Sequence, residues 1–272
     1  MARSTRRVRA TRLRADGTSS TRPDTLAGEE PLEIHVDGEQ WLVTMRTPGS
    51  DVDLVHGLLL AEGVITRADQ VRQVTYGPGV DADGLLSYNV IDVALDAGAR
   101  APQLRDRAVY VSASCGVCGT SSMEAVARES AYPPAEVALT VPVATLLALP
   151  DALRRQQPLF ERTGGMHAAG LFVDGAAVCV REDVGRHNAV DKALGWALRE
   201  GRVPMNDGVL QVSGRLSYEL VQKAAMAGVP VLAAVSAPSA AAVELAEEVG
   251  MTLVAFSRQH SLSVYSRADR VT

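Results

Sequence analysis

The chain has 272 residues, a formal net charge of −5 and 47% hydrophobic residues. That length is sufficient to bury a core in one large domain or two smaller ones. No stretch approaches the roughly 18 uncharged apolar residues of a membrane-spanning helix, and the N-terminus lacks the apolar run of a secretory signal. We therefore expect a cytoplasmic protein with no membrane segment.

The first 29 residues are polar and predict a flexible N-terminal tail. Residues 1–14 hold six arginines and no acidic residue. The rest of the chain is correspondingly more acidic than the net charge suggests, which argues against nucleic acid as a partner. We interpret the tail as a solvated arm, and an anchor for an anionic partner is the alternative.

Residues 30–130 are predicted to form a smaller α+β domain. Apolar and polar residues alternate on both sides of the dipeptide Asp37-Gly38, which predicts a β-hairpin. Ser50 then predicts the N-cap of a helix that ends at Gly63. The other elements predicted in this part are strands at 85–95 and 108–113 and a helix at 122–129.

Residues 131–272 show a different pattern, in which strands alternate with amphipathic helices. This alternation predicts an α/β domain with a mixed, substantially parallel sheet, so the whole chain is predicted to be α+β. The predicted strands lie at 170–180, 208–212, 231–235 and 252–256, and the helices at 185–200, 217–227 and 239–249.

The strand predicted at 108–113 leads into the loop S-C-G-V-C-G, which carries Cys115 and Cys118. The third cysteine, Cys179, lies in an apolar run and is predicted to be buried. A C-x-x-C pair in a reducing compartment indicates a metal ligand or a reactive thiol. Both thiols precede a predicted helix, whose N-terminal dipole favours the thiolate form.

Zinc chemistry has little support in this sequence, and we predict no metal site. A structural zinc ion normally takes four ligands, and there is no second C-x-x-C pair. Zinc deaminases carry H-x-E and P-C-x-x-C, whereas no histidine here has glutamate two positions later and Ser114 precedes Cys115. A sulfur carrier and a dithiol redox pair remain, and the motif alone does not separate them.

Three predicted strands of the second half end in small hydroxyl residues, glycine or arginine. Ser213 and Arg215 follow the first of these strands, Ser236 follows the second, and the third leads to Ser257 and Arg258. Ligands of α/β sheets lie outside the carboxyl ends of the strands, and helix N-termini accept phosphate. We predict a site for a phosphate-bearing ligand at this edge. The alternative is that the neighbouring Ser217 and Ser239 are ordinary helix N-caps and that Arg215 and Arg258 are surface residues.

The densest polar run of the chain is R-E-D-V-G-R-H-N-A-V-D-K. On the predicted helix, His187 would lie beside Asp191, and Asn188 beside Lys192. The chain has only two lysines against 25 arginines, so a lysine here indicates a need for a compact charge. The alternative is a solvated helix face. His167, after a pair of glycines, would line the same cavity or bind a backbone carbonyl.

Six segments occur in order between residues 30 and 265: P-L-E-I-H-V-D-G, T-P-G-S-D-V-D-L-V-H-G-L-L-L-A-E-G, S-C-G-V-C-G, G-G-M-H-A-A-G-L-F, R-E-D-V-G-R-H-N-A-V-D-K and S-G-R-L-S-Y-E-L-V-Q-K-A. Together they resemble the formate dehydrogenase accessory sulfurtransferases, the FdhD family. The resemblance implies a larger domain similar to the cytidine-deaminase fold, without its zinc chemistry. It leaves the first 26 residues unexplained.

The resemblance also implies a function. Members of that family accept sulfur from a cysteine desulfurase as a cysteine persulfide. They pass it to the molybdenum of a bis(molybdopterin guanine dinucleotide) cofactor, Mo-bis-MGD, that formate dehydrogenase needs. Cys115 corresponds to the persulfide cysteine and Cys118 to its partner, and a homodimer is expected. The family's cofactor-binding segment corresponds to Phe256, Ser257, Arg258, Gln259, His260 and Ser261.

Two other functions remain compatible with the residues. One is a molybdenum-cofactor chaperone whose C-x-x-C pair holds zinc or responds to oxidants. The other is a dithiol reductase, which would reduce disulfides without any nucleotide ligand.

Overall fold

The computed structural model describes residues 4–77, 79, 88–99 and 130–272. Within these ranges the chain forms twelve strands and six α-helices, and the strands make three sheets. The fold is therefore mixed α/β, as predicted. The strand predicted at 108–113, the helix predicted at 122–129 and the C-x-x-C loop lie outside the described residues.

Strands β1 (Thr5–Leu13) and β2 (Ser19–Ala27) pair antiparallel in a two-stranded sheet of their own. Most of their residues are exposed, and the base of the hairpin approaches helix α3 (Pro158–Thr163). The prediction of a tail without regular structure is therefore wrong. These strands could not be predicted, because neither has a buried face that would require apolar and polar residues to alternate.

The second sheet has four strands in the order β4-β3-β6-β5. They are β3 (Glu30–Val36), β4 (Glu39–Arg46), β5 (Val71–Tyr76) and β6 (Val90–Leu95). The predicted hairpin is confirmed, since Asp37 and Gly38 both have positive φ, as a type I′ turn requires. Helix α1 (Asp51–Ala61) follows, but Ser50 makes no side-chain capping bond.

The third sheet has six strands in the order β12-β11-β10-β9-β7-β8. They are β7 (His167–Val173), β8 (Ala176–Asp183), β9 (Gly208–Val212), β10 (Val231–Ala234), β11 (Thr252–Arg258) and β12 (Ser261–Ser266). Strands β9, β10 and β11 are mutually parallel, and the other pairings are antiparallel. The mixed sheet agrees with the prediction.

One predicted strand of this sheet is a hairpin instead, and another is longer than predicted. The strand predicted at 170–180 is interrupted by a turn at Asp174 and Gly175, both with positive φ, which separates β7 from β8. The strand predicted at 252–256 continues to Arg258, and the chain then returns as β12. The Asp174-Gly175 dipeptide normally indicates a turn, but the apolar residues on both sides of it led to the prediction of one continuous strand.

Helices cover both faces of the six-stranded sheet. Helix α2 (Val143–Arg154) packs on the face that includes Val209. Helices α4 (Arg186–Arg199), α5 (Tyr218–Met226) and α6 (Ala240–Glu248) pack on the face that includes Leu210, close to their predicted bounds. No helix in the described ranges is long and apolar enough to cross a membrane.

The four-stranded sheet and α1 share one apolar core with α4 and the six-stranded sheet. Helices α1 and α4 are in backbone contact, because a Cβ atom at Gly57 would overlap the Asp191 carbonyl and one at Gly195 would overlap the Asp53 carbonyl. The predicted division into residues 1–29, 30–130 and 131–272 stays a prediction. What the structure adds is a continuous core on both sides of the second boundary.

Candidate functional site

The carboxyl ends of β9, β10 and β11 meet at one edge of the six-stranded sheet, because the three strands are parallel neighbours. The loops from β9 to α5 and from β10 to α6 run side by side at this edge. The Leu216 amide donates to the Ala237 carbonyl (3.1 Å), and the Ser239 amide donates to the Leu216 carbonyl (2.9 Å). The fold thus brings the predicted Ser213, Arg215 and Ser236 to a common edge.

These three residues differ in what they offer a ligand. Ser213 Oγ accepts a hydrogen bond from the Ala168 amide (2.9 Å), so its hydroxyl proton remains for a further acceptor. The Arg215 side chain is exposed, and Ser236 is half-buried. Of the two proposed helix caps, Ser239 accepts from the Ala242 amide, whereas the hydroxyl of Ser217 makes no capping bond.

The segment 256–261 forms the end of β11, a turn and the start of β12. Ser257 is fully buried and donates to the Leu146 carbonyl of α2 (3.1 Å), so its hydroxyl points away from the edge. Phe256 has a φ of 51°, a conformation that costs a bulky residue about 1–3 kcal/mol, and its ring is 38% exposed. The exposed polar residues of the segment are Arg258, Gln259, His260 and Ser261.

A buried polar cluster holds the start of α4. Asp183, at the end of β8, accepts from the amides of Thr47 (2.9 Å) and Gly185 (2.8 Å) and from Lys192 Nζ (2.7 Å). Lys192 also donates to the Thr47 carbonyl (2.7 Å) and is 2% exposed. The burial of Lys192 excludes a solvated helix face, and the need for a compact charge stays a prediction. The cluster joins the β4–α1 connection to α4.

Of the helix neighbours predicted within the polar run, His187 and Asp191 find their partners on α5, whereas Asn188 donates to the Met45 carbonyl (2.7 Å). His187 Nε2 lies 2.7 Å from Glu219 Oε2, and Lys223 Nζ lies 2.7 and 2.9 Å from the two oxygens of Asp191. Burial acts to raise the pKa of Glu219, but the hydrogen bond and charge of His187 outweigh it and the pKa is lowered. Sequence reasoning did not identify Glu219, although it lies in the first turn after the S-G-R-L-S loop.

His167 and Arg186 lie next to the β9 loop, at the end of the sheet where the predicted ligand residues meet. Burial lowers the pKa of His167, and the nearby charges of Arg186 and His187 lower it further. Arg186 Nε is shielded from solvent and has no hydrogen-bond partner among the described residues. Sequence reasoning did not single out Arg186, because one arginine among 25 gives no signal of its own.

The three cysteines divide between described and undescribed parts of the chain. Cys115 and Cys118 lie outside the described residues, so their predicted role stays a prediction. Cys179 is buried, as predicted, and burial raises its pKa to about 12. After the undescribed segment the chain is anchored by Ser130, whose Oγ donates to the Ala225 carbonyl at the end of α5 (2.7 Å). The described ranges contain no group of residues suited to hold a metal ion.

Comparisons with known proteins agree with this architecture. Residues 27–272 match the model of the FdhD/NarQ family, so the match begins where the N-terminal hairpin ends. Proteins named sulfur carrier protein FdhD from Mycobacterium bovis and Mycobacterium tuberculosis are 57% identical over 257 residues, 93% of each chain. A protein of the same name from Streptomyces coelicolor is 52% identical over all of this chain and 97% of its own length.

A solved structure is also similar. The crystal structure is of a protein from Desulfotalea psychrophila that is described as a formate dehydrogenase accessory protein. It matches with a TM-score of 0.76 and 25% sequence identity, over 98% of this chain and 99% of that one.

Proposed function

The chain belongs to the FdhD/NarQ family, and we propose that it is a sulfur carrier that serves formate dehydrogenase. The observation that carries the proposal is the 57% identity, over 93% of both chains, with relatives named as sulfur carriers. The C-x-x-C loop supplies two thiols for such a role, while Cys179 is too deeply buried to take part.

We further propose that the sulfur travels as a persulfide on Cys115. The Cys115 thiolate attacks the outer sulfur of a persulfide on a cysteine desulfurase. One S–S bond forms at Cys115, the donor's S–S bond breaks, and the donor leaves as a thiolate, so there is no net oxidation. This step needs an exposed, ionised thiol, which the helix predicted at 122–129 would favour.

Release of the sulfur uses the second thiol. The Cys118 thiolate attacks the inner sulfur of the persulfide, so that a Cys115–Cys118 disulfide forms and the outer sulfur leaves as hydrosulfide. The two cysteines supply the two electrons that reduce this sulfur. The hydrosulfide becomes a ligand of the molybdenum in Mo-bis-MGD, and a cellular dithiol then reduces the disulfide.

The cofactor, as cargo, would bind at the carboxyl edge of the six-stranded sheet. Exposed donors at Arg258, Gln259 and His260 suit phosphate oxygens, and the exposed ring of Phe256 offers a surface for stacking. The hydroxyl of Ser257 does not fit such a role, because it is buried against α2. The residues assigned to the cofactor are therefore Ser213, Arg215, Ser236, Phe256, Arg258, Gln259, His260 and Ser261. The partners would be a cysteine desulfurase, formate dehydrogenase and a second copy of the chain.

Intact-mass spectrometry after incubation with a cysteine desulfurase and cysteine tests the carrier role. The wild-type protein should gain one sulfur atom, located on Cys115, and Cys115→Ser should gain none and fail to support active formate dehydrogenase. Cys179→Ala is the matched control and should load like the wild type. Cys118→Ser should load but release its sulfur slowly. A Cys115→Ser protein that fully supports formate dehydrogenase would refute the role.

The same samples separate the alternatives. Stoichiometric zinc that is lost with either thiol would favour a chaperone with a zinc site. Turnover of small disulfides without affinity for guanine nucleotide would favour a dithiol reductase. Arg258→Gln should weaken the binding of guanine nucleotide, whereas Arg72→Gln, at an exposed position of β5, should not. If the two variants bind guanine nucleotide equally well, Arg258 is an ordinary surface arginine.

A further inference from the structure

Arg186 is the first residue of α4 and holds a charged donor without an acceptor. Its Nε atom is shielded from solvent and unpartnered within the described part of the chain. The two carboxylates that influence this neighbourhood are engaged elsewhere, Asp183 with Lys192 and Glu219 with His187, each pair at 2.7 Å. Leaving a buried donor without a hydrogen bond is unfavourable, and more so when the donor is charged. This position therefore calls for an acceptor that the described residues do not provide.

Gly214 lies against the side chain that carries this donor. A Cβ atom built on Gly214 would lie 3.5 Å from His167 Nδ1 and 3.7 Å from Arg186 Cδ. Both are ordinary van der Waals distances, so a methyl group fits there without strain. Because Gly214 has no side chain, it leaves a methyl-sized cradle that is bounded by the His167 ring and the Arg186 side chain.

The electrostatics of the cradle favour a negative charge. Helix α4 is 14 residues long and begins at Arg186, and its N-cap, Gly185, has no side chain to satisfy the first amides. The positive end of the helix dipole therefore adds to the charge of Arg186. Burial and the neighbouring cations keep the pKa of His167 low, so at neutral pH its ring offers one N–H donor and adds no charge. Glu219 would repel an anion, but its carboxylate is paired with His187.

We propose that His167, Arg186 and Gly214 form a subsite for a small, singly charged anion. Two sources share this chemistry: one phosphodiester oxygen of a bound nucleotide, and an anionic sulfur such as hydrosulfide. Its use in sulfur transfer rests on the proposed function, because only that function brings both anions to this edge of the sheet. The three subsite residues lie on α4, on β7 and in the loop after β9, and none belongs to the C-x-x-C loop or to the segment 256–261.

Titration of the histidine ring resonances with sodium phosphate and, anaerobically, with sodium hydrosulfide tests the subsite. The full-length protein is used at constant pH and ionic strength, and His167→Gln assigns the His167 signals. We expect a saturable shift of the His167 ring with at least one of the two anions. A response to phosphate alone assigns the subsite to a nucleotide phosphate, a response to hydrosulfide alone assigns it to sulfur, and a response to both assigns it to either anion.

Two variants change the subsite without changing the fold. Gly214→Ala fills the cradle and Arg186→Gln removes the charge, and each should weaken the apparent affinity at least tenfold. The matched controls are Gly98→Ala, where a Cβ meets nothing within 4 Å, and the exposed Arg72→Gln; both should bind like the wild type. Wild-type affinity in both Gly214→Ala and Arg186→Gln, or no saturable shift with either anion, would overturn the proposal.

Arg258→Gln separates this proposal from the proposed function. It should lose affinity for guanine nucleotide and keep the His167 response to small anions. A protein that never carries a persulfide but shows the tenfold losses would retain the subsite and lose the sulfur-carrier role. A protein that carries the persulfide but shows no His167 response would keep the sulfur-carrier role and lose the anion subsite.

Discussion

Replacing Lys192 by methionine tests whether the buried polar cluster at the start of α4 stabilises the fold. Lys192 is 2% exposed and Asp183 fully buried, and the ammonium donates to the carboxylate and to the Thr47 carbonyl, both at 2.7 Å. Methionine preserves most of the volume but leaves Asp183 buried without a cation. Removing one partner of a buried ion pair costs about 3–5 kcal/mol. For a chain of this size each kcal/mol lowers the melting temperature by roughly 2–4 °C, so we expect a loss of about 6–20 °C.

Thermal and urea unfolding measure this loss, and a double-mutant cycle assigns it to the pair. Asp183→Asn should also destabilise the protein, because it leaves the ammonium buried without a counter-charge. The double variant should lose less than the sum of the two, since neither charge then remains alone in the core. The exposed Arg67–Asp69 pair supplies the control, and Arg67→Met should leave the midpoint unchanged. A Lys192→Met protein with the wild-type midpoint, or strictly additive losses, would refute the reasoning.

Three further predictions follow from burial and packing. Gly195→Ala should lower the free energy of unfolding by about 1–3 kcal/mol or more, because the new Cβ would overlap the Asp53 carbonyl. A wild-type free energy of unfolding in urea would contradict this. Burial lowers the pKa of His56 and His167 below 6.5, so the unfolded state binds more protons and stability should fall as the pH drops below that value. Urea unfolding between neutral and mildly acidic pH should show a smaller loss when both are glutamine. Removing residues 1–26 should change the melting temperature by less than about 2 °C, because an exposed two-stranded hairpin adds little to the core; a larger drop would make the hairpin part of the folded unit.

The strongly periodic second half was predictable from the sequence. Helices α4, α5 and α6 and strands β9 and β10 lie within one residue of their predicted bounds, because a buried face imposes its period on each of them. The hairpin at Asp37-Gly38 was predictable for a different reason, since that turn needs positive φ at both positions. Hydrophobic periodicity and turn preferences determine these elements, and both can be read from a short stretch of sequence.

The pairing of charges was not predictable, because the partners come from different elements. Spacing on one helix placed His187 beside Asp191, but His187 pairs with Glu219 and Asp191 with Lys223, both on α5. The same limit applies to Ser257. A register shift between Ala255 and Arg258 accompanies the positive φ of Phe256, and the Ser257 hydroxyl bonds to α2 instead of facing a ligand. A one-residue irregularity reverses the face of a strand residue, and composition carries no sign of it.

The buried charges of α4 are better explained by position than by stability. A well-packed apolar side chain is often as stabilising as a buried ion pair, because both charges must be removed from water. The Asp183–Lys192 pair instead fixes the position of α4. Asp183 binds the amides of Thr47 and Gly185, and Lys192 binds the Thr47 carbonyl, so the start of α4 is held against both β8 and the β4–α1 connection. Arg186 is the next residue, so the orientation of its side chain toward Gly214 depends on that anchor. An apolar replacement of the pair could keep the fold and still misplace Arg186, and binding of small anions would then fall more than stability does.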